Sequence, residues 1–321
     1  MLIQLGTNLH NDYADYIKGA DTDKRVGQAR ATQKGWLTPY QTAQASGLTL
    51  LVASLLGFVF VARLVPQSPS HDEAATSSLL ASLSTRYGPA SSMLVIVVTS
   101  IFNAFAYTGG PWPLGYIGFS PNFSIGYAGL GDIFVFLYFG LVATLTPSFL
   151  YNACNHHNNH NNTTLSMVSS LELTSWTMLD DLPYAISVAT LATNIIVVNN
   201  LRDRLTDVVA NKRTVAVRFG ANFCKIEYGI NILIAYGIIL WKTSTAAVAV
   251  LLYPTTTTTT TNSVILLVVL KQLLPFVSFP FAMKEWSAIC IKDGSALNPH
   301  VGKAALVQLV FCILLAVSVR I

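Results

Sequence analysis

The sequence predicts an all-α, polytopic transmembrane helical bundle, and three observations predict it. Of the 321 residues, 52% are hydrophobic and only 11% are charged, whereas a soluble domain carries roughly 25% charged residues. The apolar residues are gathered into runs long enough to cross about 30 Å of hydrocarbon, which takes roughly 20 residues as a helix. The alternation expected of a membrane barrel is missing, so helices are the remaining way to satisfy the backbone in lipid. Net charge is a modest +4 and is dispersed, which argues against nucleic acid as a partner and for the lipid bilayer.

Seven full spans are expected in order, at about 41–65, 90–108, 130–151, 183–200, 228–252, 262–283 and 303–320. Asp180 and Asp181 precede the fourth and suit the positive end of a helix dipole. Lys271 falls inside the sixth, where a charge is by default a functional suspect; the plainer reading has it facing a cavity or a carboxylate. Loops 17–40, 201–227 and 284–303 hold 14 of the 19 lysines and arginines. With alternating spans these loops share one side, and the positive-inside rule makes that side cytoplasmic, or stromal in a plastid.

The connections add little chemistry. Met1 is followed almost at once by polar "TNLHNDYAD", which is not the pattern of a cleavable signal peptide. Cys154, Cys224, Cys290 and Cys312 lie far apart and offer neither a disulfide framework nor a zinc spacing. "CNHHNNHNNTT" contains His156, His157 and His160, but no acidic or cysteine partner is spaced to complete a metal site; "TTTTTTT" at 255–261 reads as a tolerated polar tract.

Two polar clusters break the apolar pattern. In "NDYADYIKGAD", Asn11 and Asp15 lie four apart and share a helical face with Asp12 nearby, while Gly19 ends the helix and lets Asp21 curl back. In "NNLRDRLTD", Asn199, Asp203 and Asp207 recur at i, i+4 and i+8 along one side of a continuing helix. Stacked carboxylates repel, and burying charge near a bilayer costs several times more than that repulsion. Solvated helix ends would explain either cluster alone. Two on the same side, each with Asn four residues before Asp, fit a cation better. Hard oxygen ligands point to Mg2+, which is held by one or two carboxylates and substrate phosphates. Nearby lysines and arginines then suit the remaining oxygens of a diphosphate.

These segments, with "RVGQARATQKGWLTP", "YTGGPWPLGYIG…YAGLGDIFVFLYFG" and "LNPHVGKAALVQLVFCILLA", resemble the UbiA superfamily of intramembrane aromatic prenyltransferases. Within it they are most similar to the branch acting on 1,4-dihydroxy-2-naphthoate in menaquinone and phylloquinone synthesis. The resemblance covers nearly the whole chain and implies a single prenyltransferase domain over 1–321, with helices around a central cavity. By position it assigns Asp12, Asp15, Asp21, Asp203 and Asp207 to Mg2+, with Asp15, Asp203 and Asp207 catalytic. Asn11 and Asn199 belong to the same two motifs, and Lys18, Arg25, Arg30, Lys34, Lys212 and Arg213 are assigned to phosphate oxygens. Tyr107 and Asp132 are assigned near the aromatic acceptor. The implied substrates are a prenyl diphosphate (polyprenyl or phytyl) and the naphthoate.

The chain also departs from the family. Nine helices are implied, and Asn11 lies close to Met1, so the first helix and most of the second are expected to be missing here. "FSPNFSIGYA" at 119–128 is an insertion; with the homopolymer tracts it points to a eukaryotic source and a plastid membrane. Homogentisate or 4-hydroxybenzoate stay open as acceptors, because the aspartates do not read the ring. A transporter is the alternative from another class. It would place its carboxylates near the midplane, often within internal repeats, and no inverted repeat is visible.

Overall fold

The computed structural model describes residues 1–21, 25–65, 79–117, 120, 123–159, 178–252 and 261–320. All regular elements among the described residues are helical. The chain divides into two compact units. The first is Met1–Lys24, Ala29–Tyr127 and Leu145–Met178; the second is Arg25–Gln28, Ala128–Thr144 and Leu179–Ile321.

In the first unit, α1 spans Leu2–Ile17, α2 Pro39–Leu64 and α3 Leu79–Ala106. The start of α2 is encoded locally. Thr38 accepts from the amide of Gln41 at 3.2 Å, the Gln41 side chain accepts from the Thr38 amide at 2.9 Å, and Pro39 supplies a pre-set φ at the first helical position. Ser46 Oγ donates to the carbonyl of Gly6 at 2.9 Å and ties α2 to α1. Leu64, Ala90, Met93 and Val97 form a core between α2 and α3, against which Phe149 and Leu150 pack.

In the second unit a short helix α4, Gly131–Phe134, runs on as a π-helix over Val135–Val142; the chain continues as α5, Ala143–Asn159, which from Leu145 belongs to the first unit. The remaining helices are α6 (Met178–Val209), α7 (Val215–Phe219), α8 (Ala221–Leu252), α9 (Thr261–Gln272), α10 (Phe279–Ile291) and α11 (Asn298–Arg320). Their core is built from Leu191, Val198, Leu201, Tyr228, Ile232, Tyr236, Ile289 and Phe311, among others. Lipid offers no hydrophobic drive between apolar helices, so close packing and interhelical hydrogen bonds must hold them. Asn231 donates to Asn194 at 2.9 Å, Asn194 donates to the Tyr228 carbonyl at 3.2 Å, and Tyr236 pairs with Ser278 at 2.7 Å.

Six helices among the described residues are long and apolar enough to cross a membrane: Pro39–Leu64, Gly88–Ala106, Gly131–Cys154, Asp180–Val209, Ala221–Val248 and Gly294–Val319. They match six of the seven expected spans, and the multi-pass helical class stands. The remaining one, 262–283, is not one continuous helix. α9 stops at Gln272, a 3-10 turn covers Leu274–Ser278, and α10 starts afresh at Phe279. Pro275 is the cause, since it lacks an amide and disfavours a helical conformation in the residue before it. Lys271 lies in the last turn of α9, where a cation suits the dipole. Asp180 and Asp181 occupy the first turn of α6 as expected. The metal reading of His160 and most of the threonine tract fall outside the described residues.

Gly140 shows how close the second unit's helices come. A Cβ there would lie 2.2 Å from the Cβ of Ala189 on α6. Gly140→Leu should therefore cost about 1–3 kcal/mol of stability by overpacking. A lower Tm in detergent is the expected result, and an unchanged Tm would show that the contact does not constrain the fold.

Candidate functional site

The first acidic cluster follows from the way α1 ends. The helix stops at Ile17, and Gly19 adopts φ +69°, a left-handed conformation that glycine adopts without strain. The amides of Ala20 and Asp21 then point back to the Asp15 carbonyl, at 2.9 and 3.4 Å. This return brings Asp21 beside Asp15. Asp12, Asp15 and Asp21 are all buried, at 7%, 2% and 7% exposure. One guanidinium serves two of them, with Arg30 Nη1 lying 3.0 Å from Asp15 Oδ2 and 3.3 Å from Asp21 Oδ2. Asp12 Oδ2 accepts from the Thr32 amide at 3.3 Å, while its buried Oδ1 has no hydrogen-bond partner.

The end of α3 supplies the other wall. Thr108 Oγ1 donates to Asn11 Oδ1, Lys18 Nζ donates to the Thr108 carbonyl, and His10 Nε2 donates to the Gly109 carbonyl at 2.9 Å. The Tyr127 hydroxyl donates to Asp15 Oδ1 at 2.8 Å. Asn11, Asp12, Asp15, Lys18, Asp21 and Arg30 are thus gathered around one turn. Tyr107 enters through its carbonyl, which accepts from the Gly126 amide and from Ser124 Oγ, each at 2.8 Å. Lys34 stays exposed.

The second cluster lies on the last turns of α6 and is organised differently. Arg202 donates to both oxygens of its neighbour Asp203, at 2.8 and 2.6 Å, and to Asn199 Oδ1 at 2.7 Å. Position 27 must be glycine for this arginine to fit, because a Cβ there would stand 2.6 Å from Arg202 Nη2. Asp207 is buried at 8% exposure and accepts from Thr214 Oγ1 at 3.3 Å. The Lys212 amide donates to the Asp207 carbonyl at 2.8 Å, which closes the chain after the helix. Arg213 is exposed, and Arg25 Nε donates to the Gln28 carbonyl at 3.0 Å. Asp132 is buried and accepts from Asn200 Nδ2 at 3.3 and 3.5 Å.

The sequence pattern assigns no role to several residues in these networks. Tyr127 and Thr108 meet α1 across 112 and 97 positions. Arg202 pairs with the adjacent residue, so the i, i+4 spacing that marks the carboxylates does not mark it. No group of three or more His, Cys, Asp or Glu side chains forms a self-contained metal cage among the described residues. Mg2+, however, needs only one or two carboxylates when phosphates complete its shell.

Arg30→Met would leave Asp15 and Asp21 buried without their shared guanidinium. The expected cost is about 3 kcal/mol, at the low end for a broken buried pair because Arg30 is itself 24% exposed. Adding Asp21→Asn should recover part of the loss, read as thermal unfolding in detergent. Additive losses in the double variant would contradict the shared-cation geometry.

No family model matches the chain, and no solved structure matches it. Curated proteins do. The chain is 30% identical over 220 residues to "1,4-dihydroxy-2-naphthoate octaprenyltransferase" of Escherichia coli, an alignment covering 68% of this chain and 54% of that protein. It is 30% identical over 216 residues to the enzyme of the same name from Mycobacterium tuberculosis, covering 67% and 54%. For Haemophilus influenzae the figures are 30% over 236 residues, 73% and 59%. The chain therefore spans somewhat over half the length of these relatives. With the two acidic motifs, this similarity makes the chain a homologue of the 1,4-dihydroxy-2-naphthoate prenyltransferases of the UbiA family.

Proposed function

We propose that the protein transfers a prenyl group from its diphosphate to 1,4-dihydroxy-2-naphthoate, with Mg2+ bound by the carboxylates of its two acidic motifs. The name shared by relatives at 30% identity supports the reaction. The observation that carries the metal is Asp12 Oδ1, a buried carboxylate oxygen without a partner. Leaving such an atom unsatisfied costs free energy, and a cation or its bound water would remove that cost. The donor set is all hard oxygen, as Mg2+ prefers.

In this reading Asp12, Asp15, Asp21, Asp203 and Asp207 would hold Mg2+, which when bound supplies positive charge to the departing diphosphate. Lys18, Arg25, Arg30, Lys34, Lys212 and Arg213 would hold phosphate oxygens, since ammonium and guanidinium groups make charge-assisted bonds to them. Asn11 and Asn199 would orient the same group through their amides. The allylic C–O bond breaks with its electron pair leaving on the diphosphate, and the electron-rich ring forms the new C–C bond. The ring then loses CO2 and a proton. Tyr107 and Asp132 would stand near this acceptor. The prenyl tail, polyprenyl or phytyl, would lie among apolar helices, which also keep water from the allylic centre. The basic loops support a cytoplasmic or stromal location of the motifs, and the insertion at 119–128 with the polar tracts supports a plastid membrane.

The test is transfer by the purified protein in liposomes, with naphthoate, homogentisate and 4-hydroxybenzoate each offered several prenyl diphosphates and Mg2+. Product from naphthoate is expected; product from another acceptor alone would reassign the substrate, and none at all would overturn the reading. Asp203→Asn should lower turnover by about two orders of magnitude or more in protein that still folds, with Tm lowered because Arg202 loses its carboxylate partner. Wild-type rates in that variant would remove Asp203 from the metal site.

A further inference from the structure

Tyr127 opens the segment "YAGLGDIFVFLYFG" but the sequence pattern assigns it no role, yet its side chain touches two residues of the first acidic motif at once. Its hydroxyl donates to Asp15 Oδ1 at 2.8 Å, and its ring centroid lies 4.3 Å from Lys18 Nζ. Asp15 lies in the last turn of α1 and Lys18 is its C-cap, so a single aromatic side chain covers both. The backbone beneath it is sewn to the end of α3. The amide of Ile125 donates to the Ala106 carbonyl at 3.0 Å and that of Gly126 to the Tyr107 carbonyl at 2.8 Å. Ser124 Oγ donates to the same Tyr107 carbonyl at 2.8 Å and accepts from the Tyr127 amide at 3.2 Å. This is far more fixing than a surface tyrosine in a long connection requires.

We propose that Tyr127 is a positioning residue: its hydroxyl fixes the Asp15 carboxylate for a divalent cation, and its ring holds the Lys18 ammonium alongside for the diphosphate. This rests on the prenyl-transfer reading given above. Arg30 takes Asp15 Oδ2 at 3.0 Å while Tyr127 takes Oδ1, so the carboxylate is held from both sides. Without the hydroxyl the carboxylate loses the contact that fixes Oδ1 and can turn toward Arg30, away from the orientation a metal needs. Ligating carboxylates are commonly oriented this way, and losing the orienting partner costs roughly 10–100-fold in metal affinity or activity. The ring acts separately. A cation over an aromatic face gains enough to change binding by a small factor, and that gain depends on the ring and not on the hydroxyl.

The two arms are separated by Tyr127→Phe, which keeps the ring, and Tyr127→Leu, which keeps neither. Binding of Mn2+ to the purified protein with inorganic diphosphate, followed by electron paramagnetic resonance, should weaken about 10–100-fold in Tyr127→Phe. Its kcat should recover at saturating Mg2+ and its KM for prenyl diphosphate should stay near wild type. In Tyr127→Leu the inhibition constant of inorganic diphosphate should rise about 2- to 5-fold further. Wild-type Mn2+ affinity in Tyr127→Phe overturns the proposal, and that variant keeps it falsifiable where Tyr127→Leu fails to fold. A fall in Tm with no change in metal requirement also overturns it, as the mark of a merely structural role. Weakened Mn2+ binding in a protein that transfers no prenyl group would uphold Tyr127 and sink the reaction. Absence of Mn2+ binding in the wild type would sink both.

Discussion

Three carboxylates buried around one turn can coexist only with cationic groups among them, and Arg30 pairs directly with two of the three. Burying an isolated carboxylate costs several kcal/mol even after the protein relaxes, and a chain with 11% charged residues has few counter-ions to spend. The local structure of the first unit follows from this need. Gly19 turns the chain back so that Asp21 reaches the guanidinium already serving Asp15. A tight turn after Arg30, closed by the Lys34 and Trp36 amides on the carbonyls of Arg30 and Ala31, brings Thr32 against Asp12. Thr32 is in turn anchored on Thr42 of α2, 2.9 Å away.

The second cluster answers the same constraint with the opposite mechanics. Arg202 makes three bonds, at 2.6 to 2.8 Å, to Asn199 and Asp203, and its side chain is 5% exposed. Arg30 touches each of its carboxylates through one nitrogen and stays 24% exposed. A bidentate, desolvated arginine is costly to move, whereas a part-exposed one recovers hydration when it leaves. Arg202 therefore behaves as fixed scaffolding that shapes Asn199 and Asp203. Arg30 is the more easily displaced of the two, and its carboxylates the more available to another cation.

Hydropathy made the helical class and six spans legible, because a run of apolar residues has few alternatives in lipid. It failed at 262–283, where composition stays apolar but Pro275 breaks the backbone. The aspartates were legible because stacked carboxylates are improbable without a purpose. Their partners were not. The i, i+4 rule picked Asn199, yet its neighbour Asn200, on another face of α6, is the residue that meets Asp132. Arg202 was visible only as one basic residue among several in a loop. Tyr127 reaches Asp15 across 112 positions, and no local pattern encodes so distant a contact.

The length of α6 explains why the second cluster can sit where it does. Its 32 residues make a helix about 48 Å long, against about 30 Å of hydrocarbon. Residues 182–198 carry no charge and span about 26 Å, framed by Asp180 and Asp181 at one end and Asn199, Asp203 and Asp207 at the other. The helix is fixed along its axis by Ala189 against Gly140 and by Asn194 on α8. Those contacts set its register, because a slip of one turn would carry Ala189 away from the gap that Gly140 leaves for it. The same register fixes where Asn199 and Asp203 fall along the helix. Packing in the apolar middle of α6 thus governs where the acidic motif at its end falls along the helix axis.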